Sequence, residues 1–209
     1  MKKLAVLLVA VLVAAPAFAE NGILKLSLWD NIAVAVPNNI HNITGLDLGI
    51  ASKADTVDGI QWDFIYNDVH KVRGIKSALF YTRSYQFYGI QSAFLNISDG
   101  GFRGLQAGIA NIAHNTSVGV QLGIYNKVKH PNPYDSASLS GLQVGIYNEI
   151  QLLQGLQLGI VNNAHDISKG LQLGFVNNAH HISKGLQVGL VNIAKNGWFP
   201  MMVFVNGRF

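Results

Sequence analysis

Cysteine is absent from this chain of 209 residues, and charged side chains are scarce. Without cysteine the protein has no disulfides, no thiol nucleophile and no cysteine that carries a lipid anchor. Asp, Glu, Lys and Arg make up 12% of the residues, against roughly 25% in ordinary soluble domains. Glycine is plentiful instead, with 22 residues, and 49% of the chain is apolar.

The first twenty residues, MKKLAVLLVAVLVAAPAFAE, have the pattern of a secretory signal peptide. Lysines precede an apolar run that is too short to span a membrane, and small residues follow it, which places the predicted cleavage before Glu20. Loss of Lys2 and Lys3 leaves thirteen basic against eleven acidic residues, a net charge of +2. This excess is too small to indicate nucleic-acid binding. We predict residues 1–19 as a signal peptide and 20–209 as one exported domain.

A glycine followed by an apolar residue and then a polar one, usually glutamine, recurs ten times along the chain. The interval is fifteen residues at most steps, fourteen at two, and twenty-two where the segment HPNPYDS is inserted. A fixed interval of this kind indicates that each copy is one supersecondary unit. The recurring glycines are Gly45, Gly59, Gly74, Gly89, Gly104, Gly119, Gly141, Gly155, Gly170 and Gly185.

Each copy has the alternation of a β-strand. In GLQLGIVN, residues 155 to 162, apolar side chains alternate with small or polar ones, which is a period of two. The asparagine at the eighth position of most copies is predicted to end the strand. The segments 23–29 (ILKLSLW) and 199–209 (FPMMVFVNGRF) add a strand each. The sequence therefore predicts an all-β fold of about twelve short strands.

The GLQLGIVN unit, its early variant GLDLGIA and the aromatic C-terminal tail resemble a group of exported bacterial surface proteins with Gly-Leu-Gln repeats. The resemblance covers essentially the whole predicted mature chain. It implies export and a surface location. It supplies no catalytic residues, because members of the group are largely uncharacterised.

Two architectures fit the pattern. We favour an antiparallel up-and-down β-barrel of outer-membrane type, in which apolar residues face lipid, Gly and Gln face the lumen, and the aromatic Phe209 ends the last strand. The alternative is a parallel β-solenoid with one coil per repeat. A solenoid is predicted to stack leucines inside and glutamines outside, namely Leu156, Leu171 and Leu186, and Gln157, Gln172 and Gln187.

Histidines are the candidates for chemistry. His114, His165 and His180 share the eleventh position of their copies, and His181 follows. In a solenoid, His165 and His180 would stack closely enough to share a divalent metal. No cysteine or carboxylate set completes such a site, so solvated loop residues are the simpler interpretation. Nucleophile-elbow, phosphate-loop and zinc-helix motifs are also absent, and we predict no catalytic, cofactor-binding or metal residues.

These observations favour a non-enzymatic structural or interaction protein of the outer membrane or cell surface of a Gram-negative bacterium. Outer-membrane lipid is the expected partner, and the loop 127–140 is expected to meet solvent or a surface ligand. A narrow outer-membrane channel is one alternative. A secreted or periplasmic solenoid that binds a partner or a metal is the other. The oligomeric state is left open.

Overall fold

The computed structural model describes residues 21–30, 32–36, 41–132 and 134–209. The predicted signal peptide, residues 1–19, lies outside them. The described part is all β, as predicted, and it contains no helix long and apolar enough to cross a membrane. Its strands are β1 (Gly22–Trp29), β2 (Ile32–Val36), β3 (Asn42–Ala78), β4 (Tyr81–Ser92), β5 (Leu95–Ser98), β6 (Phe102–Ala107), β7 (Ala110–Ala113), β8 (Ser117–Leu122), β9 (Tyr125–Val128), β10 (Ser138–Ile182), β11 (Gly185–Ala194) and β12 (Met201–Arg208).

Successive copies of the repeat pair in parallel and in register. In β10 and β11, Gly170 lies opposite Gly185 and Gln172 opposite Gln187, one copy further along the chain. The same in-register parallel pairing joins β3 to β4, β4 to β6, and β6 to β8. Each copy is therefore one coil of a parallel β-solenoid.

The favoured prediction of an antiparallel barrel is wrong. Among the described strands, antiparallel pairs join only β1 to β2 and β11 to β12, at the two ends of the solenoid. The predicted number of strands is right, but the prediction of one short strand per repeat is wrong. β3 and β10 each continue through several coils. In parallel coils that stack in register, identical side chains lie next to each other and can form hydrogen bonds. In an antiparallel meander, the strand direction alternates and identical positions are not aligned in this way.

Two parallel sheets run the length of the solenoid. We number coil positions from the recurring glycine, which is position 1. The first sheet holds the last two residues of one coil and positions 1 to 4 of the next, as in β6 and β8. The second sheet holds positions 7 to 10, as in β7 and β9. Positions 5 and 6 form the corner between the two sheets.

The side chains face the opposite way from the solenoid prediction. Gln157, Gln172 and Gln187 are fully buried, whereas Leu156, Leu171 and Leu186 lie on the outer side of the same strands. The apolar interior consists largely of residues at position 10, such as Ala164, and of a branched or aromatic residue two or three places before most of the recurring glycines, such as Ile167. The coil thus encloses its amides and turns its partly exposed leucines outward.

The asparagines at position 8 form an unbroken ladder inside the solenoid, not strand ends. The side-chain nitrogen of each donates to the side-chain oxygen of the next at 2.8 to 2.9 Å, and from Asn96 to Asn177 it also donates to a backbone carbonyl of the next coil. A buried amide with all its partners avoids the desolvation cost of an unpaired polar group. The asparagine ladder consists of Asn96, Asn111, Asn126, Asn148, Asn162, Asn177 and Asn192.

The glutamines at position 3 form a second ladder of opposite direction. The side-chain nitrogen of each donates to the side-chain oxygen of the preceding coil, at 2.7 to 3.3 Å. The Thr82 hydroxyl accepts from Gln91 and donates to Asn96, so that it joins the two ladders into one hydrogen-bonded chain. The glutamine ladder consists of Gln91, Gln106, Gln121, Gln143, Gln157, Gln172 and Gln187. Because these side chains fill the described coils, the lumen that a channel requires is not present there.

A glycine at position 1 of all ten coils and a second at position 5 of seven of them make this stacking possible. Gly104 has a φ of +132°, and a Cβ on it would lie 2.0 Å from the carbonyl oxygen of Gly89 in the coil before it. At position 5, a Cβ on Gly123 would lie 2.7 Å from the side-chain nitrogen of Asn111, which belongs to the asparagine ladder. Glycine at position 1 allows backbones to approach, and glycine at position 5 leaves room for the ladder.

Candidate interaction surface

The structure brings together two of the histidines selected from the sequence. The rings of His165 and His180 are stacked with centroids 5.0 Å apart, as the solenoid alternative predicted. His180 also lies 2.7 Å from the ammonium of Lys195, and His165 lies 2.9 Å from Asp166. A neighbouring ammonium opposes the binding of a cation between the rings.

The other two histidines do not join this pair. His114 lies three coils away and contacts Asp99 at 3.0 Å, while His181 is exposed. Among the described residues, no group of three or more His, Cys, Asp or Glu side chains is placed to hold a metal ion. The described residues thus bring two of the four histidines together without a third side chain placed to hold a metal ion with them.

The loop 127–140 projects from the corner that follows the second sheet, and Gln151 of the next coil holds its base. The side-chain oxygen of Gln151 accepts from the backbone nitrogen of Ala137 at 2.9 Å, and its nitrogen donates to the carbonyl of Asp135 at 2.8 Å. Leu139 returns to the interior and is fully buried. Residues 131, 132 and 134–136 of the loop are exposed.

Most charges lie on one side of the solenoid and occur there as opposite pairs. Arg83 contacts Asp99 at 2.7 Å, and Glu149 lies within 3.6 Å of both Lys127 and Lys129. An open groove of about 530 Å³ on this polar side is lined by Asp55, Asp68, His70, Arg83, Tyr85 and Asp99 among others. Mutual pairing of this kind gives a hydrated, mixed-charge surface.

The opposite side carries three columns of outward side chains at positions 2, 4 and 6, which we call the apolar face. No charged residue occurs at these positions in any of the ten coils, and serines at Ser77 and Ser92 are the only polar ones. Position 6 lies at the corner and is the most prominent column, with every side chain 40 to 57% exposed. This apolar ridge consists of Ile50, Phe64, Leu79, Phe94, Ile109, Ile124, Ile146, Ile160, Phe175 and Leu190.

A basic rim borders the apolar face on the side of the first sheet. It occupies the position just before each glycine, where side chains point outward like those at positions 2 and 4. Arg73, Arg103, Lys169 and Lys184 stand there, all exposed, and Asp58 is the one acidic residue in the column. Asp58 lies 3.9 Å from Arg73, whereas the other three cations make no salt bridge with any described residue.

An apolar groove of about 390 Å³ interrupts the apolar face near its C-terminal end. Its walls include Phe175, Leu190 and Phe204, and the glycines Gly159, Gly174 and Gly189 contribute to its lining. Because glycine has no side chain, three stacked position-5 glycines leave a recess between the ridge and β12. The groove is a concave apolar site on a surface that is otherwise a ridge.

The interior of the first coils contains charges in place of amides. At position 3, Asp47 and Lys76 stand where later coils have glutamine, and Asp63 is buried nearby with neither carboxylate oxygen accepting a hydrogen bond. Burial, and then the charge of Asp47, raises the pKa of Asp63 to about 7. Burial lowers the pKa of Lys76 to about 7. These groups are fully covered side chains of the solenoid interior, so we do not include them in the interaction surface.

Sequence reasoning missed the basic rim, and it placed the apolar residues outward only in the barrel prediction, whose architecture is wrong. The alternation of residues showed that leucine and glutamine face opposite ways, but it did not show which one faces inward. A usable signal was the recurrence of asparagine at position 8 and glutamine at position 3, since amides stack in register as both donor and acceptor. The basic rim was visible as Lys or Arg directly before the recurring glycine in four coils.

No protein-family model, curated protein or solved structure matches this chain.

Proposed function

We propose that this protein is an exported, non-enzymatic β-solenoid that serves as an interaction scaffold at the outer membrane or cell surface. The apolar face is the observation that carries the proposal. With ten coils at roughly 4.8 Å and about 13 Å between positions 2 and 6, the face covers on the order of 600 Å². Monomeric soluble proteins rarely expose contiguous apolar patches larger than a few hundred Å², and larger ones mark contact with protein or lipid.

Several features support a binding role over a catalytic one. Asp63 and Lys76, whose pKa values are shifted to about 7, are enclosed in the interior, where a substrate has no access. The polar side consists largely of paired charges, and the largest uniform surface is the uncharged face. A solenoid that presents this face from the periplasm or the medium to a protein partner is the second candidate, because an apolar face serves either location.

The proposal is tested by removing the apolar ridge from the exported protein. In the variant Ile146→Ser, Ile160→Ser, Phe175→Ser, we expect the protein to move from the membrane fraction to the buffer-soluble fraction after cell lysis. The matched control, Lys127→Ser, His165→Ser, Lys195→Ser, changes three side chains on the polar side and is expected to stay with the membranes. Circular dichroism and thermal unfolding establish that both variants fold.

A wild-type protein that leaves the cells in plain buffer and remains monomeric at high concentration would contradict the proposal. A ridge variant that fractionates like the wild type would contradict the assignment of the apolar face as the contact surface.

A further inference from the structure

Building on the proposed function, we propose that the apolar face docks on a lipid bilayer that contains anionic phospholipid, with the basic rim at the headgroup phosphates. The occupant of the face is thus a membrane surface, not a protein. The solenoid would lie with its long axis in the plane of the membrane, because the face runs along the whole stack of coils.

The first argument is the position of the rim relative to the face. In β6, Arg103 and Leu105 point to the outer side, while the neighbouring Phe102 and Gln106 are buried. Arg103 therefore stands directly beside the apolar column of position 2, and Lys169 and Lys184 stand beside Leu171 and Leu186 in the same way. An apolar surface bordered by basic side chains combines acyl-chain contact with attraction to anionic headgroups.

The second argument is that, apart from Asp58 beside Arg73, no carboxylate of the described residues stands in the rim. Asp99 is engaged by Arg83 and His114, and Glu149 by Lys127 and Lys129, all on the polar side. The rim cations Arg103, Lys169 and Lys184 thus remain available to an external anion. The net charge of the chain is near zero, so three cations that make no salt bridge with the described residues are a feature of this border and do not follow from the overall composition.

The third argument is the apolar groove beside Phe175, Leu190 and Phe204. It opens on the apolar face, in the coils that also carry Lys184 at the rim. Its volume of about 390 Å³ and its apolar lining fit a linear hydrocarbon chain. A protein partner with a flat surface has no such chain to insert into the groove. An anionic lipid that places its phosphate at the rim can reach the groove with an acyl chain.

A second copy of the chain fits the face less well. Packed face to face with the coils antiparallel, two copies would bring rim against rim, like charge against like charge. With the coils parallel, the rim would meet the border formed by the second sheet. The residues that follow the ridge, at position 7, include no carboxylate in any of the ten coils. Neither arrangement offers an acidic column opposite the rim.

The test is sedimentation of the purified mature protein with vesicles. One set of vesicles is pure phosphatidylcholine, and the other contains about one third phosphatidylglycerol. The rim variant is Arg103→Gln, Lys169→Gln, Lys184→Gln. Its matched control, Lys127→Gln, Lys129→Gln, Lys195→Gln, removes the same charge from the polar side. The ridge variant described above is measured in parallel, and sedimentation velocity gives the oligomeric state of each protein.

We expect the wild type to bind anionic vesicles at least tenfold more tightly than neutral ones. At about 1 kcal/mol per basic residue near an anionic surface, the rim variant should bind them roughly 100-fold more weakly, with a smaller loss for the control. Equal binding to both vesicle types, or equal losses in the rim variant and the control, overturns the assignment of the rim. If the wild type is a dimer that binds neither type of vesicle, and the ridge variant is a monomer, the lipid inference is overturned. The proposed interaction scaffold is then supported, with a second copy of the chain as its partner. A ridge variant that behaves as wild type in every assay overturns both.

Discussion

The first and the later coils of this solenoid share one backbone geometry but solve the problem of a polar interior differently. From Gln91 onward, the interior polar side chains other than Ser98 and Ser117 are amides that donate to and accept from their own copies in adjacent coils. Before it, Lys25, Asp47, Asp63 and Lys76 introduce charges. Of the six buried side-chain atoms without a hydrogen-bond partner in the described residues, five belong to this early part and only the oxygen of Gln187 belongs to the later part.

The difference indicates that regular repetition is what satisfies the buried groups. An amide ladder needs the same residue in every coil, since each member is the partner of the next. Where the repeat drifts, the side chains depend on individual solutions, such as the Asp47 carboxylate accepting from Ser52 at 2.7 Å and from Gln61 at 2.9 Å. The Asp63 carboxylate accepts no hydrogen bond, and burial raises its pKa.

The largest effect is expected where both regions are alike, in the glycine column. Gly74→Ala and Gly119→Ala each place a Cβ within 2.0 Å of a glycine carbonyl oxygen in the coil before, at a positive φ. We expect each substitution to lower the free energy of unfolding by about 3 kcal/mol or more. Chemical denaturation of the two variants measures this. A loss at only one site would show that the two regions differ in backbone stacking as well.

The asparagine ladder should separate the two regions. Asn126→Leu removes bonds to Asn111, Asn148 and the carbonyl of Val144, and leaves buried partners unpaired. We expect a loss of about 3 kcal/mol in unfolding free energy. Asn67 in the early part donates to Ser77 alone, and its side-chain oxygen has no partner. Asn67→Leu should therefore lower the free energy of unfolding by only about 1 kcal/mol. Equal losses in the two variants, measured by chemical denaturation, would contradict the proposed difference between the early and the later coils.

Replacing the early charge with the later amide should stabilise the protein. Lys76→Gln puts at position 3 the residue that most later coils have, next to Gln91, and removes a buried ammonium. We expect a gain of about 1 kcal/mol at pH 7, measured by thermal unfolding. Lys76→Met removes the charge without supplying the amide. If the two variants gain equally, the ladder contributes nothing beyond the loss of the charge.

The same substitution should change the pH dependence of stability. Because the pKa of Lys76 is lower in the folded than in the unfolded chain, the unfolded chain binds more protons between about pH 7 and 10.5, and stability rises with pH there. The pKa of Asp63 is raised, so the folded chain binds more protons between about pH 4 and 7, and stability falls as pH rises through that interval. Melting temperatures at pH 5, 7 and 9.5 should pass through a minimum near pH 7. The rise above pH 7 should be weaker in Lys76→Gln, and a minimum unchanged in this variant would exclude Lys76 as its cause.

The smallest effect is expected on the outside. Ile160→Ser on the ridge removes little buried surface and should change the unfolding free energy by less than about 0.5 kcal/mol. The comparable early substitution, Ile50→Ser, should behave alike. A larger loss at either position, measured by urea denaturation, would indicate that the ridge is needed for folding as well as for binding.

The repeat predicted the coils, but not their orientation. Periodicity identified every recurring glycine, the all-β class and, in the solenoid alternative, the stacking of His165 on His180. The solenoid alternative was wrong at Leu156 and Gln157, because burying leucine is the usual rule for a soluble protein, whereas the barrel prediction had leucine outward and glutamine inward. Here a continuous row of mutually bonded amides removes the cost of an inward Gln157. These hydrogen bonds join residues of adjacent coils, and the alternation within one strand does not show which residues are adjacent in space. The rim formed by Lys169 and Lys184 likewise required knowing that successive copies stack.

The opposite directions of the two interior ladders have a consequence for the length of the molecule. Each side-chain amide is a small dipole, and a row of aligned dipoles builds up a field along its axis. The glutamine row points one way and the asparagine row the other, with Thr82 at the turn. One more coil adds one dipole to each row, so the axial field does not grow with the number of coils. A gene encoding such a chain can therefore gain or lose a copy without electrostatic strain.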